Sequence, residues 1–146
     1  TLPDGTKLCR CGCGKPVEKG RRAWAGQACI HEWMIRNQSQ YARAQVALRD
    51  HGICSLCGFD THHAASMLLA ERNAMRAAGK MNEAFLLWRT KRRAATWECD
   101  HIVPVAEGGG QCGLDGLRTL CRACHARETA ALRKRLNARK KAMKQP

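Results

Sequence analysis

The sequence predicts a small α+β domain built on a β-turn-β-α unit, held by zinc knuckles and interrupted by a helical insertion. Three observations carry this expectation. Two Cys-x-x-Cys pairs, Cys54/Cys57 and Cys121/Cys124, lie far apart in the chain. The run Thr96–Val103 reads as extended, Pro104 discourages its continuation, and Glu107-Gly108-Gly109-Gly110 turns the chain back into a second extended run, Leu117–Leu120. A helical pattern then starts near Arg122 and runs to about Met143, with Ala130, Leu132 and Leu136 along it, which puts His125 in its first turn.

The other elements follow in order. Residues 1–37 form a Cys-rich, knuckle-like segment in which Cys9, Cys11 and Cys13 alternate with turn-forming residues before Cys29. Ala28–Arg36 reads as a short helix carrying Ile30, Trp33 and Met34. Residues 38–146 form the main domain. Its first helix starts after Ser39 as N-cap, presents Tyr41, Val46 and Leu48, and ends near Gly52. The knuckle Cys54–Gly58 follows. The insertion, over about 60–95, reads as two helices. The first carries Met67, Leu68, Met75 and Ala78 and stops at Gly79; the second begins near Asn82 and carries Phe85, Leu86 and Trp88. His62-His63 opens the insertion as a solvated helix start, and a basic cluster with Arg92 and Arg93 closes it.

Composition narrows the class. Ten cysteines in 146 residues, with only 5% aromatics, suggest that metal sites supply stability that packing does not. A disulfide framework is the rival reading; the close cysteine pairs favour metal and a reducing, intracellular setting, cytoplasmic in a bacterium or phage and nuclear in a eukaryote. No apolar run approaches the ~20 residues of a membrane span, and no secretory signal is evident, so no membrane role is expected. The chain begins at Thr1 rather than Met, as a processed protein or an excised piece would. A net charge of +14, from 26 basic against 12 acidic residues, points to a polyanionic partner, with nucleic acid favoured over a membrane surface. Beyond Leu117 the only acid is Glu128, whereas Arg118, Arg122, Arg127, Arg133, Lys134, Arg135 and further cations to Lys144 crowd the final helix. With Arg92 and Arg93 these are the expected DNA-phosphate contacts, which position a strand without reading its sequence.

Cys54, Cys57, Cys121 and Cys124 together can close one tetrahedral zinc site, structural because no position stays open. Cys9, Cys11, Cys13 and Cys29 can build a second, with His31 or His51 as a possible replacement for one sulfur. Cys99 and Cys112 are expected to pack. The chemistry is expected elsewhere. Hydrolysis of a phosphodiester calls for a divalent cation to offset negative charge and a base to activate water. Asp100 and His125 offer a carboxylate and an imidazole for such an ion, and His101 offers the base. Adjacent strand residues point to opposite faces, so one of Asp100 and His101 must approach the ion from a strand end or bend.

The conjunction Asp100-His101, the glycine turn, Leu114-Asp115-Gly116-Leu117 and Cys121-Arg122-Ala123-Cys124-His125 resembles the HNH endonuclease family, whose site is a ββα-metal fold. The resemblance covers residues 54–58 and 97–130 most closely. Val46-to-Cys57 and His31-Glu32-Trp33 also look like longer HNH proteins of bacteria and phages, and a similar extended module ends a vertebrate annealing helicase. The resemblance implies metal-dependent nicking or cleavage of DNA with Mg²⁺ or Mn²⁺. It implies Asp100 and His125 as ligands of the catalytic ion, His101 as the activator of water, and the four knuckle cysteines on structural Zn²⁺. The chain departs from the family at Gly116, where Asn is usual and holds the loop between the strands. That departure keeps a second reading open: a zinc-stabilised nucleic-acid-binding module with weak or no cleavage. A protein-interaction zinc module is a third.

Overall fold

The computed structural model describes residues 5–143, so Thr1 and Lys144 lie outside the described residues. Helices α1 (Gln27–Asn37), α2 (Ser39–Asp50), α3 (Thr61–Ala77) and α4 (Met81–Lys91) precede strands β1 (Trp97–His101) and β2 (Leu117–Cys121), and α5 (Arg122–Ala142) ends the fold. Two 3-10 turns, Val105–Glu107 and Leu114–Gly116, lie between the strands. The strands pair antiparallel in the register Trp97↔Cys121 to His101↔Leu117. The α+β class, the β-turn-β-α order and the helical insertion are as the sequence predicts.

Element ends differ in places, for local reasons. Ser39 is the first residue of α2 rather than its cap; extended Gln38 stands in that position. The helix ends at Asp50, where His51 (φ 52°) and Gly52 (φ 76°) turn left-handed in succession. Gly52 is needed there twice over, since a Cβ would lie 2.6 Å from the His62 ring. His62 therefore packs over the Gly52 backbone rather than being only a solvated helix start. Asp60 caps α3 by accepting the His63 N–H at 2.8 Å. β1 is shorter than the extended run suggested, because the chain leaves the sheet after His101 with one last bond, Ile102 N–H to Gly116 O at 2.9 Å.

The main core joins Ile35, Ala42, Val46 and Leu117, with Tyr41, Trp97, Cys99, Cys112 and Leu114 packed around it. Cys99 and Cys112 thus pack as expected. Ile35 is the buried residue of α1, ahead of Ile30, Trp33 and Met34, while Leu48 is 68% exposed. Ala42 and Val46 are one turn apart on α2 and face the sheet together. A second cluster, Cys54, Leu120, Cys121 and Cys124, sits where knuckle, strand and α5 meet. Val46 and Leu120 are fully buried, each worth roughly 1.5–3 kcal/mol of apolar transfer. The α3–α4 hairpin keeps its own small cluster, Leu68, Leu87 and Ala95; Leu87 points inward, and the expected Phe85 and Leu86 point to solvent.

A two-stranded sheet has no inner strand, so each strand's outer edge needs other partners. On β2, Leu117 O accepts from Arg49 Nη2 at 2.8 Å, Thr119 N–H donates to Asp50 Oδ2 at 3.0 Å, and Thr119 O accepts from Ser55 N–H at 2.9 Å. On β1, Trp97 O accepts from Arg43 Nη2 at 2.7 Å. The end of α2 and the first knuckle therefore stand in for a third strand.

Candidate active site and cysteine clusters

Strand alternation sends Asp100 and His101 to opposite sides of the hairpin. Asp100 faces α5: Oδ1 is 4.0 Å from His125 Nε2, and Oδ2 accepts from Arg118 Nε at 3.0 Å. Arg118 also donates to Glu128 Oε2 at 3.0 Å, so the cation is shared between two acids. The fold thus brings Asp100 and His125 together directly, from a strand end and a helix's first turn. Both are partly exposed, which leaves their free atoms open to a ligand. His101 is the last residue of β1 and turns the other way. It lines a cavity of about 470 Å³ with Arg36, Asn37, Arg43, Cys99 and Cys112, between the sheet and the α1–α2 pair.

The acidic partners of the expected DNA-contacting cations could not be read from a charge sum. Arg122 donates to Glu98 Oε1 at 2.6 Å, and Arg135 holds Glu107 through two hydrogen bonds at 2.9 and 3.1 Å. The Arg135 pair holds the Glu107 carboxyl below its usual range. Arg127 Nη2 lies 3.0 Å from Cys124 Sγ, placing a cation beside the cysteine cluster. Arg92, Arg93, Arg133 and Lys134 are exposed.

The sulfurs of Cys54, Cys57, Cys121 and Cys124 lie within 4.8 Å of one another, as do those of Cys9, Cys11, Cys13 and Cys29. His31 and His51 do not join the second group; His31 Nδ1 is hydrogen-bonded with the Tyr41 hydroxyl at 2.8 Å, and His51 makes the left-handed turn after α2. The donor chemistry fits a dication. Burial pushes the Cys54 thiol up, but backbone hydrogen bonds from Cys121, Leu56 and Cys57 outweigh it and bring it down to about 6. A backbone hydrogen bond from Phe59 draws the Cys57 thiol down, yet the Cys54 and Cys124 sulfurs raise it to about 12. The other cluster repeats the pattern. Burial raises the Cys9 thiol, but backbone hydrogen bonds from Ala25 and Cys11 bring it to about 6. Burial and the Cys11 and Cys9 sulfurs lift Cys29 to about 12. Four sulfurs this close cannot all shed protons without a cation among them; closed tetrahedral thiolate sites suit Zn²⁺.

Sequence reading missed Arg49 and Asp50. Arg49 donates to Leu114 O at 2.6 Å and Leu117 O at 2.8 Å while Asp50 grips it at 2.6 and 3.0 Å. The only hint in the sequence is an acid in the last turn of α2, where the helix dipole disfavours it.

The model of the HNH endonuclease family matches residues 88–131, from the end of α4 through both strands into α5. The crystal structure of the human ZRANB3 HNH domain is 31% identical, with 97% of that chain and 71% of this one covered and a TM-score of 0.48. The chain belongs to the HNH endonuclease family. Two DNA annealing helicase and endonuclease ZRANB3 proteins are also similar: the mouse protein at 36% identity over 147 residues and the human protein at 33% over 149. Each match covers 87% of this chain, which spans 14% of the mouse protein's length and 13% of the human one's. In this HNH domain Asp100, His101 and His125 all fall within the matched region, whereas the 9/11/13/29 cluster lies outside it. Among the described residues no helix is long and apolar enough to cross a membrane.

Proposed function

We propose that the chain is a metal-dependent endonuclease that hydrolyses DNA phosphodiester bonds. The observation that carries this is the meeting of Asp100 and His125 at 4.0 Å, with His101 at the adjoining strand end. One oxygen and one nitrogen donor with open positions around them suit Mg²⁺ or Mn²⁺ rather than a closed structural site. A bound divalent ion supplies charge neutralisation at the phosphate and the leaving oxygen. Asp100 and His125 would hold that ion, Asp100 through Oδ1 because Arg118 occupies Oδ2. His101, on the other face of the hairpin, would accept the proton of the attacking water from the end of β1, where the chain leaves the sheet. The two cysteine clusters would each hold Zn²⁺ and keep the frame, with residues 1–37 as a knuckle segment and 38–146 as the nuclease domain.

DNA is the substrate that the basic surface and the endonuclease relatives favour. Arg92, Arg93, Arg133 and Lys134 are the cations best placed to meet phosphates, since they are exposed. Arg118, Arg122 and Arg135 would share themselves between phosphates and the acids they already hold, and Arg127 would divide likewise between phosphate and sulfur. A second reading, a binding module that cleaves weakly, is favoured by one observation: Gly116 offers no side chain at the loop the family holds with Asn.

Supercoiled plasmid incubated with Mg²⁺ or Mn²⁺ tests the proposal. Nicking should appear, stop with EDTA, and fall about 10²–10⁴-fold in His101→Ala, with DNA affinity and zinc content unchanged. Plasmid that stays intact with both metals while still binding the protein would establish the binding-module reading instead.

A further inference from the structure

The end of β1, where His101 sits, is joined to the returning loop by one backbone bond, Ile102 N–H to Gly116 O at 2.9 Å. Gly116 has no side chain with which to hold that loop. The carbonyls on either side of it are nonetheless fixed from outside the hairpin. Arg49 Nη1 donates to Leu114 O at 2.6 Å and Nη2 to Leu117 O at 2.8 Å, spanning the 3-10 turn. Leu117 is also the strand partner of His101 in the register. The guanidinium is oriented by Asp50 through two further hydrogen bonds at 2.6 and 3.0 Å, and Asp50 Oδ2 in turn accepts the Thr119 N–H. One side chain therefore ties the end of α2 to both sides of the turn, and its neighbour ties it to the strand beyond. Beneath the turn, Cys112 fills the space a side chain at 116 would need; a Cβ there would lie 2.5 Å from Cys112 Cβ.

We propose that Arg49 is a positioning residue for the His101 site: its planar fork clamps Leu114 O and Leu117 O and thereby sets where β2 presents the end of β1. The proposal rests on the nuclease reading only for its rate; its geometric part does not need that reading. A guanidinium is required because three acceptors must be met at once in one plane. Lysine keeps the charge but offers a single point from which two carbonyls and a carboxylate cannot all be reached. Arg49 hydrogen-bonds to Asp50, Leu114 and Leu117 and to neither Asp100 nor His125, so its effect must travel through the turn.

The test compares Arg49→Lys and Asp50→Asn with the unaltered full chain by zinc content, DNA affinity, nicking rate at saturating DNA, and the ring resonances of His101 in NMR. The expected result for Arg49→Lys is retained zinc, DNA affinity within twofold, a rate at least tenfold lower, and shifted or broadened His101 ring signals. Asp50→Asn should change the same two quantities in the same direction and less. A role in stability alone would lower the melting temperature without moving the His101 signals or the rate of the folded fraction. Unchanged His101 signals in a folded Arg49→Lys chain would overturn the proposal. If Arg49→Lys loses its zinc, Asp50→Asn decides by the same criterion. A chain that never nicks overturns the proposed function alone, because the His101 resonances still report whether Arg49 positions the site.

Discussion

The two cysteine clusters share a ligand set and differ in what they hold. The 54/57/121/124 group has three buried sulfurs and draws on a knuckle, the end of β2 and the first turn of α5. Its residues pack with Leu120, so the site is part of the core. The 9/11/13/29 group has one buried sulfur, Cys9, and is built on turns and the start of α1. Cys9 is tied down by the Ala25 N–H at 3.2 Å, and Arg10 lies over the Trp24 and Trp33 rings at 5.8 and 5.1 Å. The first cluster fixes β2, the strand paired with the one that carries Asp100, and the helix that carries His125; the second fixes a flank. Identical chemistry can thus carry either a frame or an attachment, depending on which elements supply the sulfurs.

The sharpest way to break this comparison is to remove one sulfur from each. Cys121→Ser should release zinc from the knuckle and unfold the hairpin. A structural zinc contributes about 10–16 kcal/mol in small modules, comparable with the ~5–15 kcal/mol by which a whole domain is stable. Circular dichroism and zinc content would read this together, and a folded Cys121→Ser chain would contradict it. Cys13→Ser should lower bound zinc from two equivalents to one and leave the β1–β2 amides protected in hydrogen exchange. Loss of that protection would make the N-terminal cluster part of the frame after all.

A smaller effect is expected within the frame. Gly116→Asn forces a Cβ against Cys112, 2.5 Å from its Cβ and 2.7 Å from its Sγ, and overpacking of that kind costs about 1–3 kcal/mol. The melting temperature should fall by several degrees and partly recover when Cys112→Gly is added. No recovery would mean that Cys112 is not what excludes the side chain. The smallest effect concerns acid. The Arg49 guanidinium holds the Asp50 carboxyl below its usual range, with Thr119 assisting and partial burial opposing. An acid depressed in this way contributes stability above its unfolded pKa of about 3.9, and that contribution is lost as pH falls through the lower folded value. The stability difference between the unaltered chain and Asp50→Asn should be constant from neutral pH to about 5 and shrink below about 4. Both chains carry the same two cysteine clusters, so any acid release of a metal held there is common to the two melting curves.

Much of this was legible in advance where the signal was local. Cysteines spaced by two, a glycine run between extended segments and His125 three residues into a helix each mark a position with neighbours in sequence. The Asp100–His125 meeting followed from that order. The Arg49–Asp50 clamp did not, because its partners Leu114, Leu117 and Thr119 lie more than sixty residues away and two of them offer only main-chain carbonyls. Any residue type has a carbonyl, so sequence carries no trace of which one is used. The cations misled in a related way. Arg118, Arg122 and Arg135 read as free charge, yet Asp100 and Glu128, Glu98 and Glu107 engage them. Inward-facing Leu87 beside outward Phe85 and Leu86 depends on a helix phase that three adjacent apolar residues leave open.

Of the 21 residues of α5 only Cys124 is buried, and at about 1.5 Å per residue the helix extends roughly 30 Å. Past its first turns it is tied back to the loop between the strands by Arg135 and Arg139, which share Glu107, and not by apolar packing. Among the cations of the outer turns, Arg133, Lys134, Lys140 and Lys141 are exposed like charges whose mutual repulsion salt or a polyanion would screen. The rod is thus anchored at its root by Cys124, moored farther along by a single acid, and left at its tip to whatever polyanion it meets.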